Sequence, residues 1–344
     1  MNSINHQVRL AARPTGLPDA SSWELTTEPV PAPESGEFLV EVSHLSIDPA
    51  MRGWMNDVRS YVPPVEIGAV MRALGLGQVA SSENPDFAVG DHVSGVFGVQ
   101  EFAVSDGSGV TKVDPSLAPL PTYLGALGIS GITAYFGLLD VGRLKDGETV
   151  VVSGAAGAVG SVAGQIAKLK GCRVIGIAGG QEKCAWIVQE LGFDAAIDYK
   201  SDDVRQALRQ HAPDRVDVFF DNVGGEVLDA VLTRLARGAR IVISGGISQY
   251  NAQQIRGPSN YLALIAARGT MTGFVVFDYL ARYPEAITAL AGWLRQGKLV
   301  SREHIVEGGV QAFPETLLKL FAGENVGKLV LAVRRANVPG PQES

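Results

Sequence analysis

Ala155, Gly157 and Gly160 recur in the run Ser153-Gly154-Ala155-Ala156-Gly157-Ala158-Val159-Gly160-Ser161, directly after the apolar stretch Thr149-Val150-Val151-Val152. An apolar strand that runs into a glycine-rich turn opening a helix is a place to hold a pyrophosphate. Small residues let the backbone turn and approach the phosphates, and the helix N-terminus offers N–H donors and a partial positive charge. Gly157 and Gly160 fill the second and third glycine places of a dinucleotide fingerprint. Ala155 takes the first, which weakens the bare motif. The context restores it: a strand before, a helix after, a second strand of suitable length and further strand–helix units beyond.

That second strand, Arg173-Val174-Ile175-Gly176-Ile177-Ala178, ends on Gly179-Gly180. Sites selective for NAD place an acid there, roughly 20 residues after the fingerprint, to accept hydrogen bonds from the ribose hydroxyls. Without that carboxylate nothing repels a 2′-phosphate, and Lys183 follows closely enough to supply a cation. A lone lysine is ordinarily a solvated helix residue; combined with the missing acid, it favours NADPH.

These residues need a scaffold, and 344 residues can build one large core or two ordinary ones, with two domains the better fit. From Val8 to about Tyr123, short strands such as Phe38–Ser43, His92–Phe97 and Glu101–Val104 are broken by proline and glycine, the pattern of a small, irregular β-rich domain. After Gly125 strands alternate with helices, which implies βαβ units and a parallel sheet. In the first such helix Val159, Val162, Ala163, Ile166 and Leu169 recur at helical spacing, with Ser161, Gln165, Lys168 and Lys170 mainly on the other face. Further strands are expected at Ala195–Ile197, Val216–Phe220, Arg240–Ser244 and Met271–Val276. Each but the last ends near small or polar residues, where such sheets bind ligands. From about Ser301 one helical run, Phe313–Phe321, and a closing strand, Lys328–Val333, are expected to return to the first domain, where pairing would cover the strand's edges. The expected organisation is a β-rich domain over 1–125, an α/β nucleotide-binding domain with a doubly wound parallel sheet over 126–300, and a return over 301–344.

Acidic residues (36) outnumber basic ones (29), so no basic stripe is available for a nucleic-acid backbone. No segment is apolar for the ~18 residues of a membrane span. The opening Met1–Val8 lacks the charged start and apolar core of a secretion leader, which points to the cytoplasm. The only cysteines, Cys172 and Cys184, cannot make a disulfide framework or a four-cysteine zinc site and read as buried, inert thiols. A catalytic zinc in the first domain would need cysteine and histidine ligands. No cysteine precedes Cys172, and His6, His44 and His92 show no paired ligand spacing, so they read as surface or core histidines. Hydride chemistry without a Lewis acid favours an acceptor that is already electrophilic, such as the β-carbon of an enone.

The run Ala155–Ser161 with Gly164–Cys172 resembles the zinc-independent medium-chain reductases of the prostaglandin reductase (leukotriene B4 12-hydroxydehydrogenase) and curcumin reductase family. The likeness extends over nearly the whole chain: Leu45–Pro49, Met51-Arg52-Gly53, Pro63–Gly68, Gly131–Leu139, Asp221–Gly225 and Asn325–Lys328 follow in the same order. The resemblance implies a GroES-like β domain formed by the first and last segments, a Rossmann domain in the middle, and an active site in the cleft between them. It implies a homodimer, with Met271–Val276 as the candidate edge.

It further implies that NADPH delivers hydride to the β-carbon of an α,β-unsaturated ketone or aldehyde. By position, it sets the pyrophosphate at Gly157, Ala158, Val159 and Gly160 and the 2′-phosphate near Lys183 and Tyr199. It assigns further cofactor contacts to Asn222, to Ser244, Gly245, Gly246, Ile247, Ser248, Gln249 and Tyr250, to Phe274, Val275 and Val276, and to Asn325. Hydride addition creates an enolate, so a donor is needed where charge develops on the carbonyl oxygen. The resemblance sets Tyr250 beside the nicotinamide, and a neutral tyrosine can donate one hydrogen bond there. Otherwise its ring packs on the cofactor and the ribose hydroxyl makes the key contact. Tyr61 resembles a second, substrate-facing tyrosine.

The chain departs from the family at Ala50, where many relatives have tyrosine, and at Gly128-Ile129-Ser130-Gly131, which replaces Gly-Met-Pro-Gly. Both changes bear on the substrate pocket. With no obvious acid for the α-carbon, solvent is the expected proton source. Two other readings share the cofactor site: an NADPH-dependent quinone reductase and a non-catalytic NADPH-binding redox sensor.

Overall fold

The computed structural model describes residues 4–333. Met1, Asn2 and Ser3, read above for a leader, and the end of the closing segment after Val333 lie outside the described residues. The chain forms two compact units. One runs to Leu124 and takes in Glu303–Glu324 and the chain from Lys328; the other holds Gly125–Arg302 and Asn325–Gly327. The closing segment is therefore not one continuous return, because Asn325–Gly327 belongs to the second unit.

In the first unit β1 (Ile4–Leu10) and β2 (Trp23–Pro29) pair antiparallel. A second sheet contains β3 (Phe38–Ser46), β4 (Leu74–Ser82), β5 (His92–Val96), β6 (Phe102–Ser105) and β7 (Thr111–Lys112), with the short helix α1 (Ala50–Trp54) just after β3.

The second unit opens with α2 (Ile129–Phe136), which continues into a wider turn at Gly137–Val141. Its strands are β8 (Thr149–Ser153), β9 (Arg173–Ala178), β10 (Ala195–Asp198), β11 (Val216–Asp221), β12 (Leu235–Ile243) and β13 (Thr270–Gly273). Between them lie α3 (Ala158–Leu169), α4 (Gln181–Gln189), α5 (Val204–His211), α6 (Gly225–Leu232), α7 (Ile247–Tyr250) and α8 (Ala263–Ala267); α9 (Tyr283–Arg295) follows. The strands run parallel in the order β10-β9-β8-β11-β12-β13, the doubly wound order of a Rossmann sheet. β8 is buried along its whole length, as a central parallel strand covered on both faces must be. The order reverses between β8 and β11, which opens a crevice at their C-terminal ends.

The chain then contributes β14 (Glu303–Val306), α10 (Phe313–Ala322) and β15 (Lys328–Ala332) to the first unit. β15 pairs parallel with β14 and antiparallel with β3, so the closing strand has a neighbour on each side. Phe313, Leu317 and Leu320 fall on one face of α10 and join the apolar core of that unit with Phe38, Val40 and Leu331.

Three local expectations are corrected. The last strand of the parallel sheet ends at Gly273 rather than Val276, because its partner β12 ends at Ile243, opposite Gly273, and the ladder stops with it. Ser161 and Gln165 are buried rather than facing outward. The Gln165 amide donates to the Val300 carbonyl at 3.0 Å and accepts from its N–H at 2.7 Å, which satisfies it inside the unit. Cys184 is half-buried, while Cys172 is buried. Burial pushes both thiols up to about 11, so neither is a ready nucleophile at neutral pH. Among the described residues no helix is long and apolar enough to cross a membrane.

Candidate functional site

The turn after β8 is built for close backbone approach. Gly154 adopts φ +58°, in the left-handed region, and a Cβ on Gly160 would lie 2.3 Å from the Gly154 carbonyl oxygen. Gly157 caps α3 in extended conformation, no side chain caps the helix, and no acid stands in its first turn. The N–H groups of Ala158, Val159 and Gly160 therefore open toward whatever occupies the turn, at the positive end of a twelve-residue helix. A pyrophosphate fits that donor set. Ala155 explains its own departure from glycine: it is fully buried, and the space for its Cβ comes from Gly176 in β9, where a second Cβ would sit 2.9 Å away.

Asn325 joins this turn through its neighbour. The Asn325 side chain donates to the Gly327 carbonyl at 2.8 Å, and the Gly327 N–H donates to the Ala156 carbonyl at 2.8 Å. Gly327 is held at φ +72° with the Arg302 carbonyl against its α-carbon, so a side chain there would collide.

Across the crevice, Asp221 ends β11 fully buried. Its Oδ1 accepts from the Ser153 hydroxyl at 2.6 Å and from the N–H groups of Val223 and Gly224 at 3.0 Å. Burial raises its carboxyl above the ordinary value against the pull of those hydrogen bonds. The Asn222 N–H donates to Ser153 Oγ (2.8 Å) and its side-chain amide to the Ser153 carbonyl (2.7 Å), which ties the ends of β8 and β11 together. Ser244 and Gly245 donate N–H groups to the Asp221 carbonyl at 2.8 and 3.1 Å. Ile247 donates to the Asn222 carbonyl, and Ser248 donates to the Val223 carbonyl through both N–H and hydroxyl. The Ser248 hydroxyl also accepts from the Gln249 side chain. The Gly246 N–H donates to the Tyr250 hydroxyl at 3.1 Å, which fixes where that ring points.

At the end of β9 the Tyr199 ring lies against Gly179, where a Cβ would come within 2.8 Å of it. Lys183 occupies the first turn of α4. Burial, then the neighbouring Lys200 ammonium, holds it below the ordinary lysine value, with Glu182 acting the other way. Asp198, at the end of β10, turns its Oδ1 to the N–H groups of Gly180 and Lys200 at 2.7 and 3.0 Å. Its charge is thereby engaged by backbone, while two lysines share this end of the sheet.

Contacts within the Rossmann unit thus gather Gly157–Gly160, Asn222, Ser244–Tyr250 and Asn325 around the crevice, with Lys183 and Tyr199 at the end of β9. Phe274, Val275 and Val276 follow β13, the Phe274 ring packing edge-on to Tyr279. Tyr61 stands in the β-rich unit, more exposed than buried. Asp221, Ser153 and Lys200 were missed by residue-level reading. The block Asp221–Gly225 signalled the first through the family resemblance; Ser153 and Lys200 carry no signal of their own. His6 pairs with Glu101 (2.7 Å), and His44 is partly buried. Among the described residues no group of three or more His, Cys, Asp or Glu side chains is placed to hold a metal ion.

A family model described as the N-terminal domain of oxidoreductase matches residues 6–113, and one described as zinc-binding dehydrogenase matches residues 158–292. The NADPH-dependent curcumin reductase of Escherichia coli (strain K12) is 41% identical over 335 residues, covering 96% of this chain and 97% of its own length. The 2-alkenal reductase (NADP(+)-dependent) of Nicotiana tabacum is 40% identical over 337 residues, covering 96% of this chain and 98% of its own. The crystal structure of CurA in complex with NADPH from Vibrio vulnificus matches with a TM-score of 0.91 at 44% identity, covering 96% of this chain and all of that one. With such relatives aligned along almost its entire length, the chain belongs to the curcumin reductase and prostaglandin reductase family of medium-chain NADP-dependent oxidoreductases.

Proposed function

We propose that the protein reduces the carbon–carbon double bond of α,β-unsaturated ketones and aldehydes with NADPH. The carrying observation is the crevice itself: an uncapped helix N-terminus behind a turn that only small residues can form, in a chain 41% identical to an NADPH-dependent curcumin reductase. NADPH, when bound, supplies the hydride. Ala158, Val159 and Gly160 hold the pyrophosphate through backbone N–H groups, with Gly157 leaving room for it. Lys183 and Tyr199 receive the 2′-phosphate, and its charge selects NADPH over NADH. Asn222, Ser244–Tyr250, Phe274–Val276 and Asn325 orient the rest of the cofactor.

The Tyr250 hydroxyl donates a hydrogen bond to the substrate carbonyl oxygen as negative charge builds there, and stays neutral while doing so. Tyr61 is the second substrate-facing tyrosine of this reading. Solvent supplies the proton to the α-carbon. A panel of enones, enals and quinones, followed by NADPH oxidation with NADH as control, tests the assignment. Turnover of quinones alone would make the protein a quinone reductase, and tight NADPH binding without turnover would make it a sensor.

The same reading makes the protein a homodimer joined along β13. That strand is an edge of its sheet with all four residues exposed, and Met271, Phe277 and Leu280 present apolar surface beside it. A sedimentation experiment that returned a monomer at micromolar concentration would dismiss the dimer. A cytoplasmic place of work belongs to the reading too, in keeping with a sequence of only two cysteines and checked by cell fractionation.

A further inference from the structure

We propose a second anion site on the Rossmann unit, for a small organic molecule bearing a phosphoryl group. A cavity of about 410 Å³ opens at the N-terminal ends of β11 and β12. Arg215, directly before β11, Arg237, early in β12, and Arg268, directly after α8, line it together with Thr233 and the buried Leu232 and Leu235. Asp221 and Asn222, on the nucleotide crevice, lie at the other end of β11, roughly 17 Å away at ~3.3 Å per residue. The cavity is thus separate from the crevice, and its size falls in the ordinary range for small-molecule sites.

Three guanidinium groups around one cavity repel each other, and no carboxylate lines it. Among the described residues neither Arg215 nor Arg237 has an ion-pair partner, and Arg268 donates to a backbone carbonyl, that of Ala266. In a chain of net charge −7 this is a local concentration of positive charge that a multiply charged anion would relieve. Guanidinium groups match phosphate oxygens two at a time. Ala263 and Ala266, which also line the cavity and are not buried, offer apolar surface to the organic remainder of the ligand.

A backbone observation points the same way. Arg215 (φ +76°) and Arg268 (φ +52°) are two of three non-glycine residues with positive φ among those described. Arg268 is the left-handed C-cap of α8 and Arg215 closes a turn on the Ala212 carbonyl, so both turns hold an arginine where glycine is most at ease. Strained positions of this kind gather at ligand clamps.

The same strain supplies the test. Arg215→Gly with Arg268→Gly removes two of the three cations and relaxes the backbone, so the double variant should melt no lower than wild type. The protein, loaded with one equivalent of NADPH, is titrated calorimetrically with inorganic phosphate and separately with AMP. Wild type is expected to bind both, AMP at least tenfold tighter, with affinities that fall as salt rises. The double variant should lose at least tenfold on each while its NADPH affinity is unchanged. A wild type that binds neither probe, a double variant that binds as tightly, or AMP no tighter than inorganic phosphate would overturn the proposal.

Discussion

Lys328 Nζ lies 2.6 Å from Asp48 Oδ1 and 3.0 Å from the Ile47 carbonyl oxygen, so two blocks 280 residues apart meet inside the β-rich unit. The Ser46 hydroxyl donates to the other Asp48 oxygen. Only 2% of the Lys328 side chain is exposed, which leaves its ammonium dependent on these partners in place of water. The pair fixes the chain where β3 gives way to Asp48-Pro49 and α1.

Removing either member strands the other. Asp48→Asn leaves a buried ammonium without its counter-charge and should cost about 3 kcal/mol or more in urea unfolding, and Lys328→Met a comparable amount. Changes below about 1 kcal/mol would show that the pair is solvated in solution.

Asp221 gives stability a pH dependence of defined sign. Its folded value is raised by burial, so between the ordinary carboxylate value and the raised one the folded protein keeps a proton that the unfolded chain has released. This contribution is fully present below the unfolded value and is lost as pH rises through the folded one. Asp221→Asn removes that part of the slope, and urea midpoints of both proteins across the acidic range should diverge accordingly. Parallel curves would refute the assignment.

Lys183 should decide between cofactors. Lys183→Ala is expected to raise the KM for NADPH about 10- to 100-fold and leave that for NADH unchanged, the range for a lost charge-assisted hydrogen bond. Because burial and Lys200 hold the ammonium below the ordinary lysine value, NADPH affinity should decline at alkaline pH before free lysine titrates. Lys183→Arg should move that decline upward, and an equal effect on NADH would discount the phosphate role.

Tyr250→Phe keeps the ring and removes the hydroxyl. Loss of a donor to a developing oxyanion lowers kcat by about 100-fold or more, with little change in NADPH affinity. Full turnover of an enone by the variant would instead leave the ribose hydroxyl as the donor.

Some of this was legible in the residues alone. The Val150–Val152 run, the small residues that follow and the helical spacing of Val162, Ala163 and Ile166 are local patterns, and they define a strand–turn–helix whatever surrounds them. The acid-free end of β9 was equally local. Tyr61 and Asn325 could be singled out only by family resemblance, since neither has a distinctive neighbour in sequence.

What sequence by itself determined is therefore the Rossmann character of the middle of the chain and the small-residue turn that opens its first helix. Backbone turns and helix ends depend on near neighbours, and near neighbours are what a sequence displays. Tertiary structure decided the rest: that Ala155 is tolerated because Gly176 makes room, that Ser153 and Asn222 bind β8 to β11 around a buried Asp221, that Asn325 reaches the turn through Gly327, and that Lys200 joins Lys183. Each brings together residues that are not neighbours in the chain, set by strand order and close packing, and no local pattern encodes which other residue will fill a given space.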